Sequence, residues 1–511
     1  MLHYADINAF PSPVVLQEAV VAPPHDTPGT SSSTPWLVVV ALAIGITLAR
    51  CAVPLIWTHQ FDADEAIFGL MAKHLIEGRA FPLFMYGSPY MLGVEAWAAA
   101  PFFLLAGPSV VALRLPLLLV NAATAWLLVR ILHKDAGLTP AAAFGASLPF
   151  VLAPPFLSTG AYMSASGGNI EPCLYVLLLW TLRRRPWWFG LVLALAFLHR
   201  QFSAYGAVAL VCIQAMDRSL LRKATFERWL IVLLTFTASW ETIDLVRVWS
   251  SPLGPGTSFA SEGRGLFEQA ARFACVAPST MVGGVRTFVT EVVPLMTGLE
   301  SHRPLGVVLG CALILGAIRV LWLLVTMPET RPVVSQLAPC VFIALTGLFS
   351  AMGYVALRCG VVNVETLRYS LITPLFFVGA GATFFLVESS RTGRRLATLA
   401  LCAWSVVPVT QFGSLVGGHL REPPTSALAE LASHLESRGI TNPTGDYWDA
   451  YAVTFLSNER VHVASDGVVR IMQYEWEFDR QVDRLRISRA PCTAGGHEAV
   501  PGRYWLCRLE P

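Results

Sequence analysis

The residues Trp36 to Ala66 read WLVVVALAIGITLARCAVPLIWTHQFDADEA, an apolar run followed by an acidic stretch. The run from Trp36 to Trp57 is long enough to cross about 30 Å of hydrocarbon as a helix. Asp62, Asp64 and Glu65 then place three carboxylates within four residues. Because charge in or beside a bilayer is costly, the stretch predicts a functional site where a membrane helix meets water.

The composition predicts a polytopic membrane protein. Of the 511 residues, 54% are hydrophobic and only 14% are charged, which is unlike a set of soluble domains. The net charge of +2 comes with basic residues in short loops rather than in one patch, so we expect no nucleic-acid partner. The ten cysteines include no CxxC pair, which gives no sign of a zinc knuckle or redox motif.

Apolar runs predict about eleven membrane spans. They fall near 36–57, 110–132, 138–157, 172–182, 187–199, 204–216, 229–249, 304–326, 334–357, 369–389 and 396–413. The run 90–107 is ambiguous because it carries Glu95 and Pro and Gly breaks. Basic loops after spans two, four, six and ten mark the cytoplasmic side. Two topologies fit this pattern. The amino terminus is cytoplasmic if 90–107 lies at the interface, and it is outside if 90–107 spans the membrane. Glu95 and Trp97 favour the interfacial helix.

Both ends of the chain differ from its apolar middle. Residues 1–35 contain no Lys or Arg and end in a Pro, Ser and Thr-rich run, so we expect a disordered cytoplasmic leader before a transmembrane domain over 36–413. Residues 414–511 predict a small α/β domain outside the cytoplasm, with an amphipathic helix at 425–438 and strands at 461–463 and 504–506. Cys492 and Cys507 flank turn residues and are spaced to close a hairpin in an oxidising compartment.

The acidic stretch supplies the candidate catalytic residues Asp64, Glu65 and Asp62. A carboxylate at this boundary can accept a proton from a substrate hydroxyl as its oxygen attacks. The alternative is a solvated loop with its acids in water. The pattern Asp62-Ala63-Asp64 also allows a divalent cation, but two residues do not establish a metal site, and no metal ligands are assigned.

Arginines near the predicted outer ends of spans are candidate phosphate ligands. Arg368 precedes Tyr369 and Pro374, and a guanidinium there can hold a phosphate through paired hydrogen bonds. Anchoring at the interface is the alternative for both residues. Arg114 has no acid within helical reach, so either a phosphate or an ion pair with the acidic loop would satisfy it. Arg200 is a weaker candidate of the same kind.

Two glycine-containing loops give candidate substrate-binding residues. Gly167-Gly168 precede Asn169 and Glu171, and paired glycines let the backbone approach a ligand closely. The stretch from Gly87 includes Tyr90 and leads to Glu95. Each loop also reads as a plain turn before a helix.

Together these elements resemble the membrane glycosyltransferases that use polyprenyl-phosphate sugars, which have the C-type fold and include the aminoarabinose transferases and protein O-mannosyltransferases. The matching residues are Asp64-Glu65-Ala66, Gly87 through Glu95, Gly107 through Arg114-Leu115, and Arg368-Tyr369 with Pro374. The resemblance implies that Asp64 is the base and that Arg114 and Arg368 bind the lipid phosphate. The second outer loop offers Asn169 and Glu171 in place of a second catalytic aspartate, and the His-Pro-Pro or Lys-Pro-Pro element is absent.

The sequence therefore predicts an all-α polytopic protein with interfacial helices in its first outer loop and a small α/β carboxy-terminal domain. We expect an inverting glycosyltransferase in a bacterial inner membrane, with its site facing the periplasm. Its partners would be a polyprenyl-phosphate sugar donor, membrane lipids and a glycan, lipid or protein acceptor. A transporter or flippase for a lipid-linked sugar and a non-catalytic scaffold are the alternatives.

Overall fold

The computed structural model describes residues 35–88, 91–247, 276–301, 334–357, 361–493 and 495–509, with scattered positions between 304 and 322. Residues 1–34 of the predicted leader, Tyr90 and most of the predicted span 304–326 lie outside the described residues. The helices before the carboxy-terminal domain are α1 (Trp36–Ile56), α2 (Ala63–Ile76), α3 (Val94–Ala106), α4 (Val110–Arg130), α5 (Pro140–Val151), α6 (Glu171–Leu182), α7 (Pro186–His199), α8 (Ala204–Met216), α9 (Lys223–Arg247), α10 (Pro278–Thr287), α11 (Val293–Thr297), α12 (Val334–Ala356), α13 (Pro374–Val387) and α14 (Arg391–Arg421).

Within these ranges, six helical segments are long and apolar enough to cross a membrane. They contain α1, α4, α9, α12, α13 and α14, and α13 is preceded by a 3₁₀ turn at Leu367–Ser370. The shorter apolar helices α5, α6, α7 and α8 correspond to four further predicted spans. Helix α1 packs on α4, α7 on α9, and α12 on α13. The predicted polytopic helical fold is confirmed.

Two helices fill the loop between the first two long spans, where interfacial helices are predicted. Helices α2 and α3 have 14 and 13 residues, and their first turns carry buried carboxylates, Asp64 and Glu65 in α2 and Glu95 in α3, which a span across hydrocarbon rarely carries. Helix α2 begins at Asp62, whose carboxylate accepts a hydrogen bond from the Glu65 amide at 2.9 Å. This N-cap satisfies an amide that has no partner within the helix.

The carboxy-terminal domain is an α/β unit, as predicted. Its helices are α15 (Ala427–Ser437), α16 (Tyr447–Leu456) and α17 (Met472–Asp479), and its strands are β1 (Thr444–Asp446), β2 (Ala464–Asp466), β3 (Leu485–Ser488), β4 (Gly496–Val500) and β5 (Tyr504–Arg508). The strand order is β2-β1-β3-β5-β4. Strand β1 is parallel to β2 and β3, and β5 is antiparallel to β3 and β4. A disulfide joins Cys492 to Cys507.

Two details of this domain differ from the sequence prediction. The strand expected at 461–463 begins at Ala464, and before it the Val463 amide donates to the Thr454 hydroxyl at 3.0 Å rather than to a neighbouring strand. The last apolar helix continues to Arg421, through Pro408 and past the end of its apolar run at 413, and Pro423-Pro424 follow its end.

Helix α2 joins the bundle to the carboxy-terminal domain. Every residue from Ala63 to His74 is buried, since α2 packs against α3 on one side and α16 on another. At Gly69 a Cβ atom would lie 2.5 Å from the Phe455 ring of α16. Only glycine allows the two helices to approach this closely.

An ion-pair cluster around Glu459, which we call the Glu459 clamp, fastens this contact. The Glu459 carboxylate accepts hydrogen bonds from Lys73 at 2.5 Å, from His74 Nε2 at 2.8 Å and from Arg79. Tyr474 donates a further bond at 3.0 Å. Burial alone would raise the pKa of Glu459, but the hydrogen bonds and charges of these partners outweigh it and lower the pKa. Burial lowers the pKa of His74, although its hydrogen bond to Glu459 opposes this shift.

We predict that Glu459→Gln loosens the docked carboxy-terminal domain. A buried cluster that loses its anion leaves cations uncompensated, and the cost is roughly 3 kcal/mol. Thermal unfolding and limited proteolysis in detergent would measure the change. Glu436→Gln is the matched control, because it removes an ion pair at 3.0 Å with the exposed guanidinium of Arg460, and a surface pair of this kind contributes about 0–1 kcal/mol.

The loss of stability caused by Glu459→Gln should be smaller at low pH than at neutral pH. A carboxylate whose pKa is lowered by folding stabilises the protein above its unfolded pKa, and this contribution is lost as the pH falls. The difference between wild type and Glu459→Gln should therefore be full at neutral pH and shrink below about pH 4.3. Equal stability of the two proteins at neutral pH would contradict the clamp.

Candidate active site

A cavity of about 580 Å³ lies between the helical bundle and the carboxy-terminal domain. Asp64 lines it at the start of α2, and Arg368 and Tyr369 line it just before α13. Arg200 contributes from the end of α7, and Arg470 comes from the carboxy-terminal domain. The cavity therefore brings one carboxylate and three guanidinium groups together from four separate parts of the chain.

Asp64 is held through both of its carboxylate oxygens. Arg368 donates to Oδ2 at 2.8 Å, and the Tyr447 hydroxyl donates to Oδ1 at 2.6 Å. The residue is 6% exposed, so this is a buried and oriented acid rather than a solvated loop residue. Each carboxylate oxygen has a second lone pair that can accept another hydrogen bond.

Arg368 and Arg200 share one wall of the cavity. Their guanidinium carbons lie 5.5 and 5.8 Å from the centre of the Tyr369 ring, within the range of cation–π attraction. Arg200 also donates from Nε to the Gly168 carbonyl at 3.3 Å. Two guanidinium groups on one aromatic platform form a surface suited to a phosphate.

Glu65 and Arg114 pair with each other outside the cavity. Arg114 donates to the two Glu65 oxygens from Nε at 2.9 Å and from Nη2 at 2.8 Å. It also donates to the carbonyls of Pro54, at 3.0 Å, and Gln60. With Arg114 1% exposed, the structure shows the ion pair with the acidic loop that the sequence allowed. The pair ties the end of α1 to the start of α2.

Asp62 has a separate place in the acidic stretch. Its side chain caps α2 and does not line the cavity. Burial, followed by the nearby negative charge of Glu65, raises the pKa of Asp62 to about 7. Among the described residues, no group of three or more His, Cys, Asp or Glu side chains is placed to hold a metal ion. The carboxylates of the Asp62-Ala63-Asp64 pattern are not part of such a group.

Glu95 lies in a buried hydrogen-bond chain behind Arg200. It contacts His199 Nε2 at 2.9 Å, and the other ring nitrogen contacts the Tyr175 hydroxyl at 2.9 Å. Glu95 also accepts the Gly168 amide. Gly168 has φ +78 and packs tightly on Arg200. These hydrogen bonds therefore hold the turn at Gly168 against the aliphatic part of the Arg200 side chain.

Asn169 and Glu171 are buried beside this turn but do not line the cavity. The Asn169 amide donates to the Ser166 hydroxyl at 2.9 Å and to the Ala161 carbonyl at 3.1 Å. Glu171 begins α6. Asn169 stabilises the loop that carries Ser166 to the cavity wall, and Tyr90 lies outside the described residues.

Two residues of the site were not identified from the sequence. Tyr447 begins α16 and reaches Asp64 across 383 positions of the chain. Arg470 donates to the Gly87 carbonyl at 2.9 Å and to the Ser88 hydroxyl. Gly87 has φ +65, and a Cβ atom there would lie 2.8 Å from Arg470 Cδ. Tyr447 lies in the aromatic stretch GDYWDAY at 445–451, a pattern that by itself is also typical of core packing.

The arrangement combines a carboxylate that can accept a proton with cations that can hold an anion. A base must come within hydrogen-bond distance of the proton that it removes, and Asp64 borders a space large enough for a substrate. The guanidinium groups would stabilise negative charge that develops on a departing phosphate.

We predict that the pair Glu65 and Arg114 is structural. Arg114→Met or Glu65→Gln alone leaves one buried charge without its partner and should lower stability by roughly 3–5 kcal/mol, while the double variant should recover part of the loss. Thermal unfolding of the three variants gives the coupling energy. Additive losses in the double variant would argue against the ion pair.

No protein-family model and no curated protein sequence matches the chain. Solved structures do resemble it. The crystal structure of ArnT from Cupriavidus metallidurans bound to undecaprenyl phosphate matches with a TM-score of 0.55 at 12% identity, covering 93% of this chain and 98% of that one. The apo form matches with a TM-score of 0.57 at 10% identity and the same coverage. An oligosaccharyltransferase from Archaeoglobus fulgidus matches at 0.49 and 12% identity, over 89% of this chain and 69% of that one. The likeness to ArnT extends over nearly the whole chain, so the two proteins share a polytopic helical fold, as the sequence predicts.

Proposed function

We propose that this protein is an inverting glycosyltransferase that moves a sugar from a polyprenyl-phosphate donor to an acceptor hydroxyl. The observation that carries the proposal is Asp64, a buried carboxylate held by Arg368 and Tyr447 at the edge of the cavity. The shared fold with ArnT, whose crystal structure contains undecaprenyl phosphate, supports the choice of donor.

In the proposed reaction, Asp64 accepts the proton of the acceptor hydroxyl. The acceptor oxygen forms a bond to the anomeric carbon while the bond from that carbon to the phosphate oxygen breaks. The electron pair leaves with the polyprenyl phosphate, which gains one negative charge. Attack opposite the leaving group inverts the anomeric centre.

The arginines would link donor binding to the contacts of the base. Arg368 contacts Asp64 at 2.8 Å through a charge-assisted hydrogen bond. A donor phosphate beside Arg368 and Arg200 would draw the Arg368 guanidinium toward itself. Asp64 would then be held mainly by Tyr447 when the donor is present.

The other candidate residues have supporting roles in this proposal. Glu65 and Arg114 fix the start of α2 and thereby the position of Asp64, so Arg114 acts on the site through Glu65. Glu95 and His199 hold the turn beneath Arg200. Asp62 caps the helix that carries Asp64.

The proposal includes a cellular setting. The sequence favours a bacterial inner membrane, with a cytoplasmic leader at 1–35, a transmembrane domain over 36–413, and residues 414–511 and the site on the periplasmic face. Basic loops at the opposite ends of the spans support this orientation.

We predict that Asp64→Asn abolishes transfer. Wild type and variant would be compared with a panel of labelled polyprenyl-phosphate sugars and membrane acceptors. Loss of the base should reduce kcat by 100-fold or more. Asp135→Asn is the matched control, because Asp135 pairs with Arg183 at 3.4 Å away from the cavity. Equal rates for wild type and Asp64→Asn would reject Asp64 as the base, and no transfer by the wild type would favour the transporter or scaffold alternative.

We predict that Arg368→Gln weakens donor binding and slows transfer. A hydrogen bond to a charged group contributes about 1.5–3 kcal/mol, which is roughly 10- to 100-fold in kcat/KM for the donor. Arg183→Gln is the control. Steady-state kinetics with the active donor would measure the effect, and unchanged kcat/KM would exclude Arg368 as a phosphate ligand.

A further inference from the structure

The proton-accepting aspartate touches a residue from outside the helical bundle. The Tyr447 hydroxyl, in the carboxy-terminal domain, lies 2.6 Å from Asp64 Oδ1. Tyrosine can donate one hydrogen bond through its hydroxyl, and here the carboxylate is the acceptor. The domain thus contacts the reacting group directly.

The position of Tyr447 is fixed from several sides. Arg470 donates from Nε to the Tyr447 oxygen at 3.3 Å, and its guanidinium carbon lies 5.6 Å from the ring centre. The ring also packs edge-on against Tyr451 at 5.6 Å. The Glu459 clamp holds the helix that carries these rings against α2. A side chain restrained in this way can orient the group that it touches.

The two oxygens of Asp64 are therefore in different environments. Oδ2 is occupied by the Arg368 cation at 2.8 Å in a charge-assisted hydrogen bond, the stronger kind. Oδ1 faces a neutral hydroxyl and retains a second lone pair. Oδ1 is the better proton acceptor, and its direction is set by Tyr447.

We propose that Tyr447 is a positioning residue that orients Asp64 so that Oδ1 receives the proton of the acceptor. The role rests on the proposed transfer reaction. It makes docking of the carboxy-terminal domain a requirement for catalysis, since the isolated bundle lacks this contact. The acceptor proton goes to the free lone pair of Oδ1, and the Tyr447 proton stays on its own oxygen.

The test is Tyr447→Phe, which keeps the ring and removes only the hydroxyl. Loss of one hydrogen bond to a charged group should reduce kcat about tenfold, while KM for the donor stays within about twofold because Tyr447 is not among its ligands. Tyr504→Phe is the matched control. Its hydroxyl also donates to a carboxylate, Asp449 at 2.9 Å, but inside the carboxy-terminal domain. A kcat for Tyr447→Phe equal to or above that of the wild type would overturn the proposal.

A second measurement does not need enzymatic turnover. A hydrophobic carbodiimide reacts with a carboxyl oxygen that it can reach, and the Tyr447 hydroxyl occupies Asp64 Oδ1 at 2.6 Å. We expect labelling of Asp64 in Tyr447→Phe, followed by peptide mass spectrometry at neutral pH, to be faster than in wild type or Tyr504→Phe. Unchanged labelling would show that the hydroxyl does not act on Asp64 and would overturn the proposal.

The two measurements separate this inference from the proposed function. If the wild type transfers no sugar and yet the labelling rate rises in Tyr447→Phe, the contact stands and the transferase proposal fails. If the wild type is active and Tyr447→Phe matches it in both measurements, the transferase proposal stands and the positioning role fails.

Discussion

The Asp64 carboxylate, held between Arg368 of the bundle and Tyr447 of the carboxy-terminal domain, is the contact around which both parts of the molecule meet. A carboxylate that is 6% exposed is stable only if hydrogen bonds and opposite charge replace the lost water. Those partners come from residues far apart in the chain. Satisfying this buried charge therefore requires the bundle and the domain to be assembled together.

The contacts around α2 are organised to meet that requirement. The Glu65 and Arg114 pair ties the helix start to the end of α1, and the Glu459 clamp ties its far end to the carboxy-terminal domain. Between them, Gly69 allows α16 to pack closely. The helix is thus held at both ends, and its first turn is fixed within the site.

Local sequence patterns predicted the fold and part of the site. Apolar runs gave the spans, and the cost of charge at a membrane boundary singled out Asp64 and Arg368. The sequence does not identify the partner of Arg114, because an isolated arginine in a span indicates only that some anion is near. Tyr447 and Arg470 could not be found, since nothing in a soluble aromatic stretch indicates that it docks on a membrane helix 383 positions away. Asn169 and Glu171 were grouped with the site because paired glycines often approach ligands, whereas here the glycine turn packs against Arg200.

We expect the cavity between the helical bundle and the carboxy-terminal domain to bind a polyprenyl phosphate beside Asp64. Single-particle electron microscopy of the full chain in lipid nanodiscs with added undecaprenyl phosphate tests it most directly. Density for the phosphate should lie within hydrogen-bond distance of Arg368, with the prenyl chain extending along the helical bundle. The hydrogen bond between Tyr447 and Asp64 should remain intact. Lipid density only outside the cavity, with the Arg368 and Asp64 pair unchanged at saturating lipid, would contradict it.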